Sequence, residues 1–315
     1  MPVTKASTSR APLLVWISIV CASALIVVPA AMLLGNPAVL RGHPALPVLL
    51  LVAAAGGLLW GFLLWRGRGS RPKRSMLRSI GAWVGRLLAL SAVAALAWLN
   101  PFAHQPAGPQ PARNVAIVES PTDIAMAPVN STPSKGLVFY PGARVEAKAY
   151  EDVLGPVANA GYLVVILKEP LGLSLLDGSQ ARAAMSAHPE VHSWAVGGHS
   201  LGGVSASSFA LENPDVKGLV LFASYPLDSL RDRTGLSVLS VSGTADGLST
   251  PAKIYLSREL LPLDTTFVTV QGGNHAYFGS YGAQPGDGEA SIDRTAAQEQ
   301  ISTATVTSMG QLAGG

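Results

Sequence analysis

Residues 198–202 read Gly-His-Ser-Leu-Gly, a serine with small residues two places before and two places after it. That spacing lets a strand and its outgoing helix pass close together while the serine stands on the strained turn between them, the G-x-S-x-G arrangement of an exposed nucleophile. A serine hydroxyl is a weak nucleophile, so it needs an imidazole within hydrogen-bond reach and a carboxylate behind that imidazole to hold its tautomer. Downstream, Asp246 lies in Gly243-Thr244-Ala245-Asp246-Gly247 and His275 in Gly272-Gly273-Asn274-His275. The expected roles are Ser200 as nucleophile, His275 as base and Asp246 as orienting acid, with Asp228 and Asp232 as alternative acids. A tetrahedral intermediate also requires two backbone N–H donors for its oxyanion. These are expected from Leu201, at the positive end of the outgoing helix, and from Ala143, with Gly142 letting the backbone approach closely. Gly142, His199 at the variable place of the elbow, and Lys168 are the candidate substrate-binding residues. Lys168 could draw an anionic substrate, or could form a solvated charge pair with Glu169.

Each of these residues needs an element to carry it. Residues 193–197 form a short apolar run before the serine, and 204–213 form a helical run stopped at Asn213-Pro214. Strands are expected at 135–141 before Gly142, at 162–167 before Lys168, at 218–223, at 236–242 before Asp246 and at 265–271 before His275, with a crossover helix at 251–261. The nucleophile, acid and base thus all follow the carboxyl ends of strands, where parallel sheets gather their sites. The fold class implied is α/β, a mostly parallel sheet with helices on both faces. Only residues 224–235 separate two of the strands, which leaves no room for a large cap. Residues 278–288, with Tyr281, Gln284 and Asp287, are expected to form a loop bracing His275.

Five segments carry a resemblance: Tyr140-Pro141-Gly142-Ala143, Gly198 to Gly203, Ala223-Ser224-Tyr225-Pro226, Gly243 to Gly247, and Gly272 to Gly279. On these motifs residues 114–312 resemble the α/β-hydrolase superfamily, and within it small bacterial membrane-anchored members with a Gly-His-Ser-Leu-Gly-Gly elbow. The resemblance implies a Ser200-Asp246-His275 triad and hydrolysis of a carboxylic ester or related acyl bond. Amidase, transacylase and lactone-opening chemistry would use the same triad, and the fold alone does not choose a substrate. From another class, a membrane sensor that binds ligand without turnover is the alternative, against which all three triad residues stand.

The first hundred residues have a different composition. Residues 11–34, 45–65 and 87–103 hold no charged side chain, and about 20 apolar residues suffice to cross a bilayer. The third run is expected to extend back to about 82 or 80, with Arg86 snorkelling to the headgroups. Arg66, Arg68, Arg71, Lys73, Arg74 and Arg78 crowd the loop before it, whereas only Arg41 lies between the first two runs. The positive-inside rule puts the arginine-rich loop, Lys5 and Arg10 in the cytoplasm, so residues 1–10 are cytoplasmic. Three spans between 11 and 104 then leave the C-terminal domain outside a bacterial plasma membrane, and failure of the third span would leave it inside. Residues 105–112 read as a proline-rich linker, and 113–315 as one catalytic domain.

Residues 1–118 contain 11 Lys and Arg and no acid, and residues 119–315 contain 11 against 19 acids. The high isoelectric point therefore belongs to the membrane part and argues for anionic lipid rather than nucleic acid. Cys21 is the only cysteine, which excludes a disulfide within the chain, a cysteine metal site and a cysteine nucleophile in the domain. No metal or cofactor is expected. The partners expected are the lipid bilayer and a small-molecule or lipid-like acyl substrate.

Overall fold

A computed structural model describes residues 13–67, 76–106 and 114–313. Lys5, Arg10, Arg68, Arg71, Lys73, Arg74 and most of the expected linker lie outside the described residues. The chain divides into two compact units, Met1–Pro37 with Leu46–Asn100, and Ala38–Ala45 with Pro101–Gly315.

The first unit holds three helices, α1 (Leu13–Gly35), α3 (Ala45–Arg66) and α4 (Met76–Trp98), each long and apolar enough to cross a membrane. A single turn, α2 (Ala38–Arg41), follows α1 and belongs to the second unit. The third helix begins earlier and ends earlier than its uncharged run, because Asn100-Pro101 cannot continue it. Arg86 does not snorkel. It is buried against α1, where its Nε donates to the Leu14 carbonyl (3.2 Å) and its other nitrogens meet Ser18 Oγ and the Ala82 carbonyl. A guanidinium can stay inside a helix pair only when such oxygens replace its water.

In the second unit β1 (Val115–Glu119) and β2 (Asp123–Pro128) form an antiparallel hairpin at one edge of an eight-stranded sheet. Next come β3 (Lys135–Tyr140), α5 (Glu151–Asn159), β4 (Leu163–Leu167), α6 (Gln180–Ser186), β5 (Ser193–His199) and α7 (Leu201–Glu212). They are followed by β6 (Gly218–Phe222), β7 (Ser237–Gly243), α8 (Pro251–Ser257), β8 (Thr266–Val270) and α9 (Arg294–Gln311). The strand order is β1-β2-β4-β3-β5-β6-β7-β8, and every pairing from β4 onward is parallel. This is the expected mostly parallel sheet. Its strands are runs of Val, Leu, Ile and Phe because both faces are covered. Val153, Leu154 and Val157 of α5 pack with Ile301 and Met309 of α9 on one face, while Ala184, Met185, Ala206 and Phe209 of α6 and α7 pack on the other.

Residues 101–104, assigned to the membrane region by the sequence reading, belong to this unit. Phe102 pairs with Val145 and His104 with Tyr281 as isolated bridges. The Glu146 carboxylate, 5 % exposed, accepts the His104 N–H (2.7 Å) and an ion pair from Arg41 Nε (2.8 Å).

Candidate active site

The elbow is a tight turn by necessity. Ser200 has φ 53° and ψ −120°, a region that costs a residue with a side chain roughly 1–3 kcal/mol and persists only where surroundings enforce it. A Cβ on Gly198 would stand 2.3 Å from the Gly202 backbone, and one on Gly202 would stand 2.1 Å from the Tyr140 carbonyl oxygen. The Ser200 N–H donates to the Phe222 carbonyl (3.0 Å), and Ser224 Oγ donates to the Ser200 carbonyl (2.6 Å), so β6 and its following turn hold the elbow from outside. Ser200 itself remains half-buried at the start of α7.

Asp246 and His275 meet in the loops after β7 and β8. Asp246 Oδ2 lies 2.9 Å from His275 Nδ1 with both side chains out of solvent, while Oδ1 accepts the N–H groups of Leu248 (2.8 Å) and Ser249 (2.7 Å). The nitrogen on the far side of the ring, His275 Nε2, has no hydrogen-bond partner among the described residues. Asp287 braces both loops: its Oδ1 accepts the N–H groups of Gly247 (3.2 Å) and His275 (3.0 Å), and its Oδ2 accepts that of Ala276 (2.9 Å). The alternative acids Asp228 and Asp232 make no ion pair with a histidine among the described residues.

The loop after β3 approaches from the other side. Gly142 N–H donates to the Tyr150 hydroxyl (2.9 Å), and Arg144 N–H donates to the Gly172 carbonyl (2.7 Å). Between them, the Ala143 N–H has no acceptor among the described residues. Leu201, first residue of α7, has an N–H without an intrahelical acceptor. His199 is fully buried, with Nδ1 2.8 Å from the Tyr150 hydroxyl and its ring 4.5 Å from the His275 ring. Burial and the facing His275 imidazole hold it far below the usual histidine range.

Lys168 is turned elsewhere. Its Nζ donates to Glu119 Oε1 (2.7 Å) and to the Ser120 carbonyl (2.7 Å) beside β1, and its side chain is 5 % exposed. It is neither a solvated charge pair with Glu169 nor a free cation. Glu169 is buried with both carboxylate oxygens lacking a hydrogen-bond partner, and burial raises its pKa well above the usual carboxylate range. Asp287 lies in the loop expected to brace His275 and does so, whereas Tyr150 was not singled out by sequence reasoning, since its partner His199 lies 49 residues away. Among the described residues no group of three His, Cys, Asp or Glu side chains is placed to hold a metal ion.

Residues 136–299, just over half of the chain, match the model of a protein family described as an alpha/beta hydrolase family. No curated protein matches the chain.

Proposed function

The chain belongs to the alpha/beta hydrolase family, and we propose that it is a membrane-anchored serine hydrolase that cleaves a carboxylic ester or related acyl bond through Ser200, His275 and Asp246. One observation carries the reading: a serine on a strained elbow and a buried imidazole–carboxylate pair 2.9 Å long stand at the same edge of one parallel sheet. In this reading His275 Nε2 takes the Ser200 proton as Oγ attacks the acyl carbon. The oxyanion is held by the N–H groups of Leu201 and Ala143, and the proton then passes to the departing alcohol. Water attacks the acyl-enzyme by the same route, releasing the acid and restoring Ser200. Asp246 keeps the proton of His275 on Nδ1 and stabilises the imidazolium without becoming protonated itself.

The turn that holds Ser174 touches the start of α7, where Ser174 Oγ donates to the Leu201 carbonyl (3.3 Å). The connection from β6 to β7 carries no inserted domain, so lipid-like substrates are not shut out by a cap.

Membrane topology follows from chain order. Ala38–Ala45, after α1, and the chain from Pro101, after α4, belong to the same compact unit. They can emerge on the same side of a bilayer only if α3 and α4 both cross it or neither does, and the length and apolarity of both helices favour a paired crossing. With the arginine-rich loop between α3 and α4 in the cytoplasm, the catalytic unit faces outward.

The test is to trap the acyl-enzyme. Full-length protein in detergent, quenched in acid during turnover of esters of graded chain length, is expected to carry the acyl mass on the peptide containing Ser200. Turnover with no acyl adduct in wild type and undiminished rate in Ser200→Ala would reject the covalent route.

A further inference from the structure

Tyr150, in the turn that leads into α5, sends its hydroxyl to the place where the loop after β3 meets the elbow. The phenol oxygen accepts the Gly142 N–H at 2.9 Å and lies 2.8 Å from His199 Nδ1. An oxygen that accepts an amide hydrogen still has its own hydrogen to place, and the imidazole nitrogen is the acceptor in reach. With the phenol as donor, His199 carries its lone pair on Nδ1 and its hydrogen on Nε2, a nitrogen with no hydrogen-bond partner among the described residues. The three groups are close-packed as well as bonded: a Cβ on Gly142 would come within 2.7 Å of His199 Nδ1 and 3.2 Å of the Tyr150 hydroxyl.

The His199 ring fills the space between that pin and the base. It stands 4.5 Å from the His275 ring, is stacked with Phe278 at 5.9 Å and 10°, and is 6.2 Å from the Tyr281 ring. The ionisable groups facing this pair are Asp246 and Asp287 on His275, the Tyr150 and Tyr281 hydroxyls, and Glu169, whose carboxyl acts on Tyr150 through space. None of them bonds to His199 except Tyr150. When His275 takes a proton from Ser200 it becomes cationic, and a charged His199 beside it would oppose that step. With Nδ1 occupied by a hydroxyl donor in a site closed to water, His199 presents a neutral ring instead.

We propose that Tyr150 is a positioning residue for both halves of the acyl-transfer site: one hydroxyl fixes the Gly142 peptide, so that Ala143 N–H is the donor left for the oxyanion, and fixes His199 as the neutral surface against which His275 is set. This rests on the Ser200-His275-Asp246 reading above and assigns work to residues that touch neither the acyl carbon nor the transferred proton.

The experiment measures kcat and KM on a chromogenic short-chain ester with the full-length chain in detergent, for wild type, Tyr150→Phe, His199→Phe, the double variant and His199→Asn. Tyr150→Phe is expected to lower kcat roughly tenfold to a hundredfold, the cost of a misplaced catalytic group, with KM changed less than about twofold. The double variant should fall little below the single ones, because each removes the same bond. His199→Asn, whose Oδ1 can stand where Nδ1 accepts, should keep more kcat than His199→Phe, and this comparison holds even if Tyr150→Phe fails to fold. An active wild type in which Tyr150→Phe leaves kcat unchanged, or in which His199→Phe outperforms His199→Asn, overturns the proposal alone. A folded wild type without turnover of any ester tried removes the triad reading, and this proposal with it.

Discussion

Asp246 is held by more than its partner histidine. Two backbone N–H groups fix one oxygen while the other meets His275, so a carboxamide at this position keeps much of the geometry and loses the charge. Asp246→Asn is expected to leave the thermal midpoint nearly unchanged and to lower kcat on the order of 10³- to 10⁴-fold, the scale of losing the correct imidazole tautomer; equal kcat would remove Asp246 from the triad. Glu169 gives a pH signature. Its folded pKa is raised by burial, so between the usual carboxylate range and that raised value the native state binds a proton that the unfolded chain has released. Stability is therefore full at low pH and declines as pH rises through that window. Glu169→Gln is expected to melt near the wild-type temperature at pH 4 and above it at pH 8; a variant melting below wild type at pH 8 would contradict this. Ser200, Asp246 and His275 were legible in the sequence because each sits in a short glycine-rich turn just after a strand. Lys168 was misjudged because its partner Glu119 lies on a strand that the sequence reading did not identify, and no local pattern joins residues 49 positions apart.

Among the elements, the elbow depends on the absence of side chains where β5 and α7 pass. Gly202→Ala would put a Cβ 2.1 Å from the Tyr140 carbonyl and 2.3 Å from that of Pro141, both in the backbone that leads to Gly142. The expected cost is about 3 kcal/mol of stability, at the upper end for overpacking, seen as a lower denaturant midpoint with loss of turnover; an unperturbed midpoint would show that the turn can open. The parallel strands announced themselves as continuous apolar runs bounded by glycine. The antiparallel hairpin did not: β1 is mostly exposed, and β2 ends in Pro128, so neither reads as a buried strand. Helix α9 was equally hidden, since its buried face is Ala297, Gln298, Ile301, Ser302, Thr305, Ser308 and Met309, a stripe whose polar members bond back to the helix through Ser302 and Thr305. The start of α4 shifted because Arg78 lies inside the helix, ahead of the start at 80 to 82 that the sequence suggested.

For the whole molecule, three helices apolar enough to cross a membrane and the unit with the hydrolase fold belong to one chain, and in the proposed membrane-anchored arrangement the side on which that unit emerges decides which substrates it can meet. Because Cys21 is the only cysteine, Cys21→Ser with Val129→Cys creates a single label site on the catalytic unit at a position 57 % exposed. A membrane-impermeant maleimide is expected to label it in intact cells once any outer barrier is opened; labelling only after lysis would reverse the topology. In composition, the absence of any acid before Glu119 separates the two halves. It did not foretell that residues 38–45 and 101–106 join the catalytic unit, which depends on Arg41 and His104 reaching Glu146. The catalytic expectations rest on an activated serine. The most direct measurement is fluorophosphonate labelling of the full-length protein in native membranes, with mass spectrometry to locate the adduct and Ser200→Ala and His275→Ala as controls. A single adduct on Ser200, absent from the first control and slowed on the order of 10³-fold or more in the second, is the expected result. An unlabelled Ser200 in folded wild-type protein, or labelling that is indifferent to His275, would contradict the catalytic assignment.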